Sequence, residues 1–66
     1  MRIKIEFSCD NAAFEDNPDE MSVVLQQAAE AVEVLRLEIE NMCATNVARE
    51  LYDTNGNRVG YVRVTR

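Results

Sequence analysis

From Met21 to Met42 the apolar residues Met21, Leu25, Ala28, Val32, Leu35, Ile39 and Met42 return at spacings of 4, 3, 4, 3, 4 and 3, with no glycine or proline among them. That rhythm is one face of an α-helix, and it fixes more of the chain than any other feature. The start is marked as well, by Asn17-Pro18-Asp19-Glu20. Asn17 suits an N-cap, and Pro18 suits the first helical position, where no N–H is needed. Asp19 and Glu20 oppose the positive end of the helix dipole, and Glu20 stands three residues after the cap, as in a capping box. A helix is therefore predicted over 18–43, roughly 39 Å long at 1.5 Å per residue. Within it, Leu35 to Glu40 ("LRLEIE") alternates as a strand would. No breaker precedes it and the stripe runs through it, so the helical reading is preferred.

The rest of the chain has a different period. Ile3, Ile5, Phe7 and Cys9 alternate with Arg2, Lys4, Glu6 and Ser8, which predicts a half-buried strand over 2–9. A polar connection, "DNAAFED", follows, with Phe14 turned back to the core. Near the other end, Asn55-Gly56 sits between two β-branched runs. These two residues tolerate the φ > 0 that a tight hairpin turn requires, so a hairpin is expected over 47–65. Gly60, lacking a Cβ, admits close approach by the helix or a neighbouring strand. A phosphate-cradling role for the loop requires a strand–loop–helix setting that is absent here. The fold class is α+β in the order β-α-β-β. One domain over 1–66 has a three-stranded antiparallel sheet and one long helix packed on one face. The first strand joins either edge of the hairpin.

Composition narrows the function classes. A hydrophobic share of 47% places this 66-residue chain among globular domains rather than disordered ones. No run resembles a secretory signal or reaches the roughly 20 apolar residues of a membrane span, so a cytoplasmic protein is expected. Cys9 and Cys43 read as small buried hydrophobes. With no histidine and no Cys-x-x-Cys, no metal or other cofactor is expected. Ser8 and Ser22 have no candidate base, and the expectation is that the protein is not an enzyme.

Charge is distributed unevenly. Residues 10–40 hold nine acids against one base, Arg36, while the flanks hold six bases against three acids; −8 and +3 make the net −5. A helix of about 39 Å also outreaches strands of about 25 Å, leaving some nine helical residues beyond the sheet, among them Val34, Leu37 and Ile39. Val23, Val34 and Leu37 lie off the main stripe and widen the apolar surface. Exposed apolar surface of this kind marks association, so a homodimer or higher homo-oligomer is expected, through helices or edge strands.

The segments "DNAAFEDNP" (10–18) and "DTNGNRVG" (53–60) together resemble a family of small proteins encoded by tailed bacteriophages and prophages. Their pattern is an N-terminal strand, a D-N-A-A-F-E-D-N connection into a helix, and a terminal D-x-N-G-N-x-V-G hairpin. The two motifs cover about a quarter of this chain. The family expectation includes a glycine-containing break between helix and hairpin, and "NMCATNVARE" has none. The resemblance carries no catalytic residues. It implies a protein of an infected or lysogenic bacterial host that binds a host factor stoichiometrically, such as an antiviral defence component, as anti-CRISPR proteins do.

Two surfaces are candidates. Glu30, Glu33, Val34, Leu37, Glu38 and Glu40 on the helix form an acidic face that could occupy a basic surface of a host protein. Arg2, Lys4, Tyr61 and Arg63 on the sheet, or in a dimer crevice, could instead hold a nucleotide-like signalling molecule. Direct nucleic-acid binding is disfavoured by the net charge of −5.

Overall fold

The N-terminal alternation folds as β1 (Arg2–Phe7), and the stripe folds as a helix that runs unbroken through "LRLEIE". The computed structural model describes residues 1–66. In chain order the elements are β1, α1 (Ala12–Asp16), α2 (Glu20–Met42), β2 (Asn46–Tyr52) and β3 (Arg58–Thr65). The sheet has the order β1-β3-β2, antiparallel throughout, so β1 joins the hairpin on its β3 side. As the central strand, β3 supplies the fully buried Val62 and Val64.

Register decides which face is covered. Ile3, Ile5 and Phe7 lie opposite Val64, Val62 and Gly60, and Val47, Arg49 and Leu51 lie opposite the same three from the other side. These residues therefore share one face. Helix α2 packs on that face against β2 and β3. Val24, Ala28, Ala31, Leu35 and Ile39 form the core with Leu51, Val62 and Val64. A helix about 10 Å wide covers two strands about 4.8 Å apart, but not three. Ile3 and Ile5 of β1 consequently remain 48% and 43% exposed.

The buried stripe differs from the predicted one in its first half. Met21 and Leu25 are exposed, as is Met42, while Val24 and Ala31 take the inner positions. The cause is Glu20, which is fully buried against the hairpin turn. Glu20 and Val24 are four residues apart and share a face, so Met21 and Leu25, one position on, are rotated outward.

Both helix ends differ from expectation. Asn17 is not the N-cap: α2 begins at Glu20 with Asp19 in the cap position, and Asn17 Oδ1 accepts the Asp19 N–H at 3.0 Å in the turn before it. Glu20 does not fold back to complete a capping box; its carboxylate is committed to Thr54. The polar connection contains a short helix, α1, with Ala13 buried and the Phe14 ring stacked 6.3 Å from that of Phe7. At its other end α2 stops on Cys43, which adopts the left-handed conformation at φ 56° in place of the expected glycine. Cys43 is exposed there rather than buried. The Arg66 guanidinium donates to the carbonyls of Ile39 and Ala44, complementing the negative end of the helix.

These contacts correct the predicted overhang. Glu20 reaches the hairpin turn and the Ile39 carbonyl reaches Arg66, so α2, about 35 Å long, matches sheet plus turn. Ile39 is buried, and Val34 and Leu37 meet solvent because they face outward, not because they project past the sheet. The turn differs too. Only Gly56 has positive φ, 84°, and its N–H donates to the Asp53 carbonyl at 3.0 Å. The Asp53 N–H donates to the Asn57 carbonyl at 3.0 Å, so the loop is three residues, Thr54 to Gly56, ending on a left-handed glycine, rather than two.

Candidate functional site

Off the buried stripe of α2 stand Val23, Val34 and Leu37, all exposed, with Val34 at 44% on the flank beside Arg49 and Leu51 of β2 and Leu37 at 47% farther round the helix. Val23 and Val34 are eleven residues apart, about three full turns, and so stand in one row. Acids flank that row, but most are already paired. Glu33 and Glu40 both accept from Arg36, at 3.3 and 2.9 Å. These bonds, the one to Glu33 foremost, hold the Arg36 guanidinium above its ordinary pKa. Glu38 stands 4.0 Å from Arg49 of β2. Glu30 has no ion pair. The face is thus a narrow apolar row within partly neutralised acidic flanks, less negative than the residue count suggests.

The sheet face turned away from α2 brings the other candidates together. Lys4 lies opposite Arg63 and Glu6 opposite Tyr61, with Arg2 at the end of β1. Lys4 Nζ and Arg63 Cζ stand 5.9 and 5.8 Å from the centroid of the same Tyr61 ring. The Tyr61 hydroxyl donates to Glu6 at 2.8 Å, and Lys4 stands 3.9 Å from that carboxylate. The Tyr61 hydroxyl, foremost, and the Glu6 charge hold the Lys4 pKa above its ordinary value. Glu50 binds Arg58 at 3.0 Å and accepts from the Tyr52 hydroxyl at 2.7 Å. Arg2 and Arg63 have no ion pair, so this face keeps a modest positive excess.

A third constellation joins the two motifs. Asn11 donates to Asp53, and Glu20 accepts from both the backbone N–H and the hydroxyl of Thr54 at 2.7 Å. These bonds fix the turn, and one buried polar atom of the constellation, Asn11 Oδ1, has no partner. No group of three or more Cys, Asp or Glu side chains stands so as to hold a metal ion, and no helix is long and apolar enough to cross a membrane.

Sequence reasoning did not single out one surface, the exposed pair Ile3 and Ile5, which it placed on the apolar side of a half-buried strand. The signal was present: one helix cannot span three strands. No protein-family model matches the chain, and neither the curated proteins nor the solved structures provide a match.

Proposed function

We propose that this protein is a stoichiometric protein-binding module, without catalytic chemistry, that engages its target through the outward face of α2. The carrying observation is the row Val23, Val34 and Leu37, exposed on a helix whose inner face is already fully packed. Apolar side chains in such a row supply the binding energy of a helix-face interface, and the flanking acids steer association. Glu30, with no cation of its own, is the acid freest to meet a basic target. The resemblance to phage-encoded proteins supports a host protein as that target, a defence component in the bacterial cytoplasm first among them.

The test is affinity capture from bacterial lysate with the wild type, Val34→Glu/Leu37→Glu, and a Glu30→Lys/Glu33→Lys/Glu40→Lys triple, at low and high salt. Loss of one specific protein with the apolar pair, and salt-sensitive weakening with the triple, supports the reading. Identical capture by all three proteins removes it.

A second reading rests on the two cations over the Tyr61 ring. Lys4, Arg63 and Arg2 would meet the phosphates of a nucleotide-like ligand while its base stacks on Tyr61. Glu6 and Glu50 oppose this by occupying the same face. A thermal-shift panel of cyclic and linear nucleotides discriminates: a shift abolished by Tyr61→Ala favours it, and a flat panel ends it.

A further inference from the structure

The outer edge of β1 combines three things found together nowhere else in the fold. The first is free backbone. The Ser8 N–H donates to the Val59 carbonyl at 2.9 Å, and the β1–β3 register continues unbroken from Phe7↔Gly60 to Arg2↔Thr65. Bonded and non-bonded pairs alternate along an antiparallel ladder. Even-numbered residues of β1 therefore bond β3, and Ile3, Ile5 and Phe7 direct N–H and C=O outward. The second is apolar surface, since the side chains of Ile3 and Ile5 are nearly half exposed on the helix side. The third is charge that alternates in sign, Lys4 then Glu6, on the opposite face.

The other edge of the sheet is protected at its hairpin end. On β2 the Gln27 side chain donates to the Tyr52 carbonyl and accepts its N–H, both at 2.9 Å. The ladder there also carries a bulge at Leu51/Tyr52. Bulges, covering side chains and charged residues are the usual defences of an edge strand. The β1 edge has no bulge and no covering side chain, only the opposite charges of Lys4 and Glu6.

We propose that this edge is occupied by a second copy of the chain, β1 pairing antiparallel with its counterpart about a two-fold axis through Ile5. Two β1 strands related this way extend two three-stranded sheets into one of six, with both α2 helices on the same face. Charge selects the register. Centring on Ile5 sets Ile5 opposite Ile5, Ile3 opposite Phe7, and Lys4 opposite Glu6 twice. Sliding by one step in one direction sets Lys4 against Lys4; sliding the other way sets Glu6 against Glu6. Like charges directly opposed in a ladder are unfavourable, and opposite ones favourable. Only the Ile5-centred register has two attractive pairs and no repulsive one. It also uses the outward amides, because Ile5 meets Ile5 as a hydrogen-bonded pair. The apolar side chains that α2 is too narrow to cover in one chain then lie beside their counterparts. This interface is independent of the outward face of α2.

The test is a charge swap in the full-length chain, followed by sedimentation equilibrium and native mass measurement over a concentration series. Lys4→Glu alone and Glu6→Lys alone each convert two attractive pairs into repulsive ones and weaken self-association by about tenfold or more. The double variant Lys4→Glu/Glu6→Lys restores it, because Glu then faces Lys again. Ile5→Pro removes one outward N–H without taking a bond from β3, as an edge position tolerates; it gives a folded monomer by circular dichroism. In the dimer, the amides of Ile3, Ile5 and Phe7 exchange slowly with solvent, and in the Ile5→Pro monomer those of Ile3 and Phe7 exchange fast. A wild type that stays monomeric across the series overturns the proposal. So does a dimer whose affinity ignores both single charge reversals, or one that the double variant fails to restore.

Discussion

The side-chain amide of Asn11 donates to the carboxylate of Asp53 at 2.5 Å, tying the loop after β1 to the turn of the β2–β3 hairpin across 42 residues. Asp53 is buried and also accepts the backbone N–H of Asn57 at 2.8 Å. The two sequence segments 10–18 and 53–60 are thus halves of one folding device. Burial pushes the Asp53 carboxyl up, but the bonds from the Asn57 backbone, the Asn11 and Asn57 side chains and the Asn55 backbone outweigh it. Its pKa is held below the ordinary 3.8. A depressed carboxylate adds stability that is fully present above the unfolded value and is lost as pH falls through the folded one. Urea unfolding of the wild type should therefore show stability dropping below about pH 4, and Asp53→Asn should flatten that limb. Asn11→Ala should cost about 1–2 kcal/mol at neutral pH. A limb of unchanged steepness in Asp53→Asn would show that other carboxylates govern acid unfolding.

Glu20 and Thr54 form a second tie, with the carboxylate fully buried at the start of α2. Removing Glu20 leaves the Thr54 N–H and hydroxyl without that acceptor and a void where the carboxylate sat. Glu20→Ala should cost about 2–3 kcal/mol. Thr54→Ala should cost less, because the backbone N–H remains to serve the carboxylate. In a double-mutant cycle by urea denaturation the pair should couple by at least about 0.5 kcal/mol. Additive losses would mean that Glu20 acts through helix propensity alone.

Periodicity made the helix, the strands and the α+β class legible, because repeats of 3.6 and 2 are written into neighbouring residues. It made the sheet-face cluster legible for the same reason: Arg2, Lys4, Tyr61 and Arg63 occupy alternate positions that register then aligns. Val34 and Leu37 were legible as residues off the stripe. The ties Asn11–Asp53 and Glu20–Thr54 were not, since a single polar pair separated by 42 or 34 residues leaves no local trace. The exposure of Ile3 and Ile5 was not legible because alternation reports which face a side chain takes. It does not report how far a helix extends over that face. The rotation of Met21 and Leu25 outward followed from Glu20, whose burial the sequence presented as a surface cap.

Cys43 is the only non-glycine residue with positive φ, and it terminates α2. The left-handed region costs an L-residue with a Cβ about 1–2 kcal/mol, and glycine occupies it freely at some cost in unfolded-chain entropy. Cys43→Gly should therefore stabilise the protein by about 0.5–1 kcal/mol, seen as a higher urea midpoint at unchanged slope. Cys43→Val should do the reverse, since a β-branched side chain tolerates that backbone least. A destabilised glycine variant would show that the exposed thiol side chain contributes packing that outweighs the strain.

At Gly60 the central strand comes into close contact with β1. A Cβ built there meets the Glu6 carbonyl and stands 2.5 Å from both Cα and Cβ of Phe7. The obstruction is β1 backbone, which cannot swing aside as a side-chain tip can. Accommodating even alanine requires β1 to move away from β3 at Phe7. Its stack on Phe14 and the chain leading to Asn11 must then shift as well. Gly60→Ala should cost about 2–3 kcal/mol. The loss should be read first as faster exchange of the Glu6 and Ser8 amides, which bond β3, with those of the β2–β3 ladder far less affected. Uniform loss of protection across the sheet would place the constraint in the core rather than at the contact with β1.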